Sequence, residues 1–109
     1  MNTDIVRCIK AEELSKLIAD KADIVVIDVR ESDEIDICSI GGKHIPLGQI
    51  DVKACEIPRD KQVVIHCKSG KRAEMAVLFL QQQHHFTNLY NLEGGILSFS
   101  DYDPKLTIY

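Results

Sequence analysis

The chain has 109 residues, 45% of them apolar and 28% charged, with a net charge of −4, the makeup of one globular domain spanning 1–109. An acidic balance without a basic stripe argues against nucleic-acid binding, and no apolar run nears the roughly 20 residues of a membrane span. The Met1-Asn2-Thr3-Asp4 start has neither the basic opening nor the apolar stretch of a secretory signal, so a cytoplasmic address is expected. In chain order, Ala11 to Asp20 places Leu14, Leu17 and Ile18 on one helical face. Ile24 to Val29 is an apolar run of strand length that ends in Asp28 and then Arg30. Unbroken rather than alternating apolar content predicts a strand covered on both faces, as in a parallel sheet. Glu31 to Ile37 reads as a short helix, Ser39-Ile40-Gly41-Gly42 as a turn, and His44 to Leu47 as a short extended piece. Another helix is expected around Ile50 to Ala54. A strand at Gln62 to Ile65, a helix at Ala73 to Gln83 and a strand at Asn88 to Leu92 follow. Gly94-Gly95 then leads into a short segment, Ile96 to Phe99, and 101–109, with Pro104, reads as a surface tail. Strands alternating with helices at this rhythm predict an α/β fold, a parallel sheet flanked by helices on both faces.

The chemistry concentrates in His66-Cys67-Lys68-Ser69-Gly70-Lys71-Arg72. Here a cysteine follows a strand directly and precedes a short basic loop that opens a helix. Such a unit aims backbone N–H groups at whatever sits over the loop, and the helix N-terminus adds partial positive charge. Lys68, Lys71 and Arg72 add full charges nearby. All of these favour negative charge on the sulfur, as a nucleophilic cysteine requires. In a parallel sheet the end of Asp28-Val29-Arg30 falls on the same edge as His66-Cys67, and ligands of open α/β sheets bind outside the carboxyl ends of the strands. Asp28 and Arg30 read as an ion pair that supports the loop. His66 and Cys67, being consecutive, point to opposite faces, so His66 is a core or supporting group rather than a base for the thiol. His44, His84 and His85 read as surface or turn residues.

The remaining cysteines, Cys8, Cys38 and Cys55, read as small hydrophobes, with Cys38 the best candidate for a resolving thiol. No C-x-x-C pair exists and the cysteine spacings resemble no zinc module, while a redox sensor using Cys67 and a second thiol is a further possibility. A chain of this size also needs no disulfide to hold a core.

Taken together, Asp28-Val29-Arg30 with Glu34, Ile40-Gly41-Gly42, Ile45-Pro46-Leu47, the loop from Cys67 to Arg72, and Leu92-Glu93-Gly94-Gly95-Ile96 resemble a rhodanese domain. The resemblance runs from about residue 11 to residue 100 and departs from the family pattern at Ser39 and Phe99, where histidine and tryptophan are common. It implies a five-stranded parallel sheet and a thiosulfate:cyanide-type sulfurtransferase needing neither cofactor nor metal. Cys67 would carry a persulfide, with Lys68, Ser69, Gly70, Lys71 and Arg72 binding the donor. That donor would be a small sulfur anion such as thiosulfate or a persulfide protein. The ending, from Gly94-Gly95-Ile96-Leu97 through Asp103-Pro104-Lys105-Leu106 to Tyr109, is similar to the C-terminal rhodanese domains of molybdopterin and thiamine adenylyltransferase-like enzymes, which implies a sulfur relay to a ubiquitin-like carrier as an alternative. A regulatory binding module is a further alternative, disfavoured by the intact Cys67 and basic loop. The loop is also one residue shorter than the Cys-x5-Arg loop of the related phosphatases, which suits a single terminal sulfur better than a tetrahedral phosphate.

Overall fold

The computed structural model describes residues 5–37 and 39–102. Its elements are β1 (Cys8–Ile9), α1 (Ala11–Ala19), β2 (Ile24–Asp28), α2 (Ser32–Ile37), β3 (Lys43–His44), β4 (Gln62–His66), α3 (Lys71–His84), β5 (Leu89–Leu92) and α4 (Gly95–Tyr102). The five strands form one parallel sheet in the order β1-β5-β4-β2-β3, so β4 lies in the middle. The α/β class and five-stranded parallel sheet are those expected from the sequence.

Strand alternation sorts the core into two layers. Val63, Ile65 and Cys67 face one side with Ile27, packing against Ala73, Ala76, Val77 and Leu80 of α3. Val64, on the other side, joins Ile9, Leu92 and the α1 residues Ala11 and Leu14. Both faces of β4 are therefore covered, which accounts for its unbroken apolar sequence. Each fully buried leucine or isoleucine in these layers contributes roughly 1.5–3 kcal/mol.

Three elements differ from the sequence reading. The two-residue β1 was not expected; a strand that short carries no periodicity, and it is held through pairing with β5, Cys8 opposite Asn91. In place of a helix at Ile50 to Ala54, two short 3-10 turns occupy Leu47–Gln49 and Ala54–Glu56. Pro46 and Pro58 bracket this stretch, and proline limits helix continuation from either side. Finally, α4 runs on through Asp101 and Tyr102, the first two residues of the expected tail. No helix breaker intervenes before Pro104. The rest of that tail, 103–109, lies outside the described residues, as does Cys38.

Candidate active site

Cys67 follows the C-terminal end of β4 and is 1% exposed, at the floor of the turn into α3. Two backbone amides converge on it. The Gly70 N–H donates to Cys67 Sγ at 3.1 Å and the Ala73 N–H at 3.4 Å. Both belong to the first turn of α3 or its cap, whose N–H groups have no partner within the helix. A negative sulfur here therefore meets fixed donors and the positive end of a 14-residue helix.

The loop's curvature rests on glycine. Gly70 has φ +108°, a conformation that L side chains rarely adopt. Its carbonyl begins the helix by accepting from the Glu74 N–H at 2.9 Å. It also accepts from Asn91 Nδ2, on the neighbouring strand β5, at 3.2 Å. The start of α4 braces the opposite side of the loop. There the Ile96 N–H donates to the Cys67 carbonyl at 2.8 Å and the Leu97 N–H to the Lys68 carbonyl at 3.2 Å. This contact explains Gly95. A Cβ at Gly95 would lie 2.6 Å from the Cys67 carbonyl oxygen and run into Lys68, and its φ is +63°. Gly95→Ala is accordingly expected to destabilise the fold by about 2–4 kcal/mol, combining left-handed strain with overpacking. Urea denaturation checks this, and amide shifts of residues 67–73 should move with it. A change below about 0.5 kcal/mol, the size of an ordinary surface substitution, would contradict this account of the loop.

The basic side chains separate into two groups. Lys68, Ser69 and Lys71 are exposed around the loop, and neither lysine forms an ion pair among the described residues. Arg72 is committed elsewhere: its guanidinium forks onto Glu34 of α2, with bonds of 2.6 and 2.8 Å. Those bonds hold the Glu34 carboxyl down at about 2, and Glu34 pushes the arginine up. Glu34 also accepts from the Glu31 N–H at 3.0 Å, which fixes the carboxylate on the first turn of its own helix.

Asp28 and Arg30 form the expected ion pair, buried at 2% and 3% exposure. The Arg30 guanidinium donates to both carboxylate oxygens at 2.8–3.1 Å, and its backbone N–H donates to Asp28 Oδ1 at 2.9 Å. Asp28 sits in register with His66 of β4, on the face away from α3. His66 Nε2 stands 3.7 Å from Asp28 Oδ2, beyond hydrogen-bond reach, and burial pushes the imidazole's pKa down, with Asp28 partly opposing. His66 thus belongs to a buried polar layer beneath the loop, while Cys67 turns to the other face.

His44 differs from its surface or turn reading. It is half-buried on β3, with Nε2 2.7 Å from the Arg30 carbonyl. Asn91 and Glu34 were not read as supports for the loop. The signal for Asn91 was a lone amide inside the apolar strand Leu89-Tyr90-Asn91-Leu92. Cys55 lines a separate cleft of about 560 Å³ with Asp51, Arg59 and His84, none of them loop residues. Among the described residues no cluster of His, Cys, Asp and Glu is arranged to hold a metal ion. Nor is any helix there long and apolar enough to cross a membrane.

The profile of the rhodanese-like domain matches residues 10–102. The chain belongs to the rhodanese-like family. A sulfurtransferase of Allochromatium vinosum is 37% identical over 93 residues, covering 84% of this chain and 86% of that protein. A chloroplastic rhodanese-like and PpiC domain-containing protein of Arabidopsis thaliana is 35% identical over 113 residues. This chain spans 38% of that relative's length. Among solved structures, a rhodanese-related protein of Thermoplasma volcanium superposes with a TM-score of 0.80 at 32% identity, covering 94% of this chain and 99% of that one. The rhodanese-like domain thus accounts for the strand–loop–helix unit around Cys67, and its sulfurtransferase relatives give the class of chemistry to test.

Proposed function

We propose that this rhodanese-like domain is a sulfurtransferase in which Cys67 carries a persulfide. The observation that carries the reading is the pair of amides, Gly70 and Ala73, converging on a buried sulfur at a helix N-terminus. The Cys67 thiolate attacks the outer sulfur of thiosulfate. A Cys67–sulfur bond forms, the sulfur–sulfur bond of thiosulfate breaks, and sulfite leaves with its electron pair. The outer sulfur of the persulfide then bears the negative charge, close to the same helix terminus. An acceptor nucleophile, cyanide or a thiolate, attacks that sulfur, removes it, and returns the thiolate. Lys68 and Lys71, exposed and without an ion pair among the described residues, draw the anionic donor towards the loop. Asp28 and Arg30 act below it as structural support.

The test is direct. Incubation with thiosulfate should add one sulfur to Cys67, read by intact mass and peptide mapping, and cyanide should remove it as thiocyanate. A protein that stays unmodified with both thiosulfate and a small-molecule persulfide would overturn the proposal.

A further inference from the structure

Resting on that reading, we infer that Glu34 sets the donor preference of the site by neutralising Arg72 at the mouth of the loop. The argument begins from the charge inventory around Cys67. Three cations fall within the loop, yet only Lys68 and Lys71 are unpaired among the described residues. The third, Arg72, lies in the first turn of α3, directly before Ala73, whose N–H reaches Cys67 Sγ at 3.4 Å. Its guanidinium is nevertheless held in a two-pronged fork by Glu34, at 2.6 and 2.8 Å. Such bidentate pairs are the strong, geometrically fixed kind.

Glu34 is positioned for this role from its own side. Its carboxylate accepts the Glu31 N–H at 3.0 Å, and Arg30 Nη1 approaches its carbonyl at 3.5 Å. Arg30 is in turn locked onto Asp28. The carboxylate therefore arrives at Arg72 from a braced helix rather than from a loose side chain. Both members are partly exposed, 26% for Glu34 and 34% for Arg72, so the pair meets solvent at the start of the helix whose Ala73 N–H reaches Cys67 Sγ. A small dianion must then approach a site with one cation cancelled and a carboxylate beside it. That costs a dianion more than a monoanion carrying the same transferable sulfur, since the interaction scales with charge. Glu34 does not touch the reacting atoms. It is a positioning residue that acts through Arg72.

The test compares the wild-type protein with Glu34→Gln, which keeps the shape and removes the charge. The donors are thiosulfate, a dianion that releases sulfite, and methanethiosulfonate, a monoanion that releases methanesulfinate after the same sulfur–sulfur cleavage. At fixed ionic strength, kcat/KM for thiosulfate should rise about tenfold, through KM, and for methanethiosulfonate about threefold, half as far on a free-energy scale. Affinity for sulfate, followed by the Gly70 and Ala73 amide shifts and independent of turnover, should also rise about tenfold. Adding Arg72→Gln to Glu34→Gln should cancel these gains. Equal losses of kcat for both donors with unchanged sulfate affinity would show that Glu34 only braces the loop, and would overturn the inference. If the wild-type protein accepts sulfur from neither donor, the proposed sulfur transfer fails, and the sulfate titration alone decides the role of Glu34.

Discussion

Cys67→Ser should reduce sulfur loading from thiosulfate by at least roughly a thousandfold while leaving the protein folded. Serine is close in size and its oxygen can accept from the same Gly70 and Ala73 amides, which lie 3.1 and 3.4 Å from the native sulfur. The stability change should stay within about 1 kcal/mol, the range of a shape-preserving replacement. Chemistry and structure are therefore separable at this position. The hydroxyl keeps the contacts but does not form the thiolate that the proposed sulfur transfer requires. Intact mass after thiosulfate exposure, set beside a urea titration of the same sample, reads both quantities. Cys8 and Cys55 are free and exposed, so sulfur found on either in the variant is distinguished from turnover by peptide mapping and by the absence of thiocyanate. Thiocyanate formed by Cys67→Ser at the native rate would remove Cys67 from the mechanism.

Arg30→Met should destabilise the domain by about 3–5 kcal/mol, the cost of leaving one member of a buried ion pair without its partner. Asp28 is 2% exposed, and Arg30 supplies bonds to both its carboxylate oxygens. The nearest other candidate, His66, is held back from the charged form by burial and stands 3.7 Å away. Replacing both members, with Asp28→Asn beside Arg30→Met, should cost less than Arg30→Met alone, since the stranded charge is then gone. Urea midpoints of the three variants decide it. If the double variant is less stable than Arg30→Met, the pair is not the source of the effect.

Much of this architecture is legible in the sequence because it depends on local signals. The apolar runs that begin at Ile24 and Val63 mark strands buried on both faces, and Cys67 placed between a strand and a basic helix start marks the candidate site. Asp28 and Arg30 are close in sequence, so their pairing can be anticipated. The partners that shape the loop are not local. Glu34 meets Arg72 across 38 residues, Asn91 reaches Gly70 across 21, and the Gly95 backbone packs on Lys68. Those contacts come from the strand order, which places β2 and β5 on either side of β4. Arg72 shows the consequence most plainly. A cation in the first turn of a helix is disfavoured by the helix dipole. From sequence that placement points to an anionic ligand, whereas in the fold a carboxylate from α2 already occupies the arginine.

With β4 in the middle of five parallel strands, the loop after it has two unrelated walls. The stretch after β2 supplies Glu34 and meets the loop through side-chain charge. The stretch after β5 supplies Gly95, Ile96 and Leu97 and meets it through backbone hydrogen bonds and close backbone packing. The first wall is a side-chain pair, and on the proposed role of Glu34 its exchange would retune which reagents the sulfur meets. The second tolerates no side chain at Gly95 and keeps the cradle in shape whatever the first wall carries. On the role proposed for Glu34, selectivity and construction fall on opposite flanks of one turn.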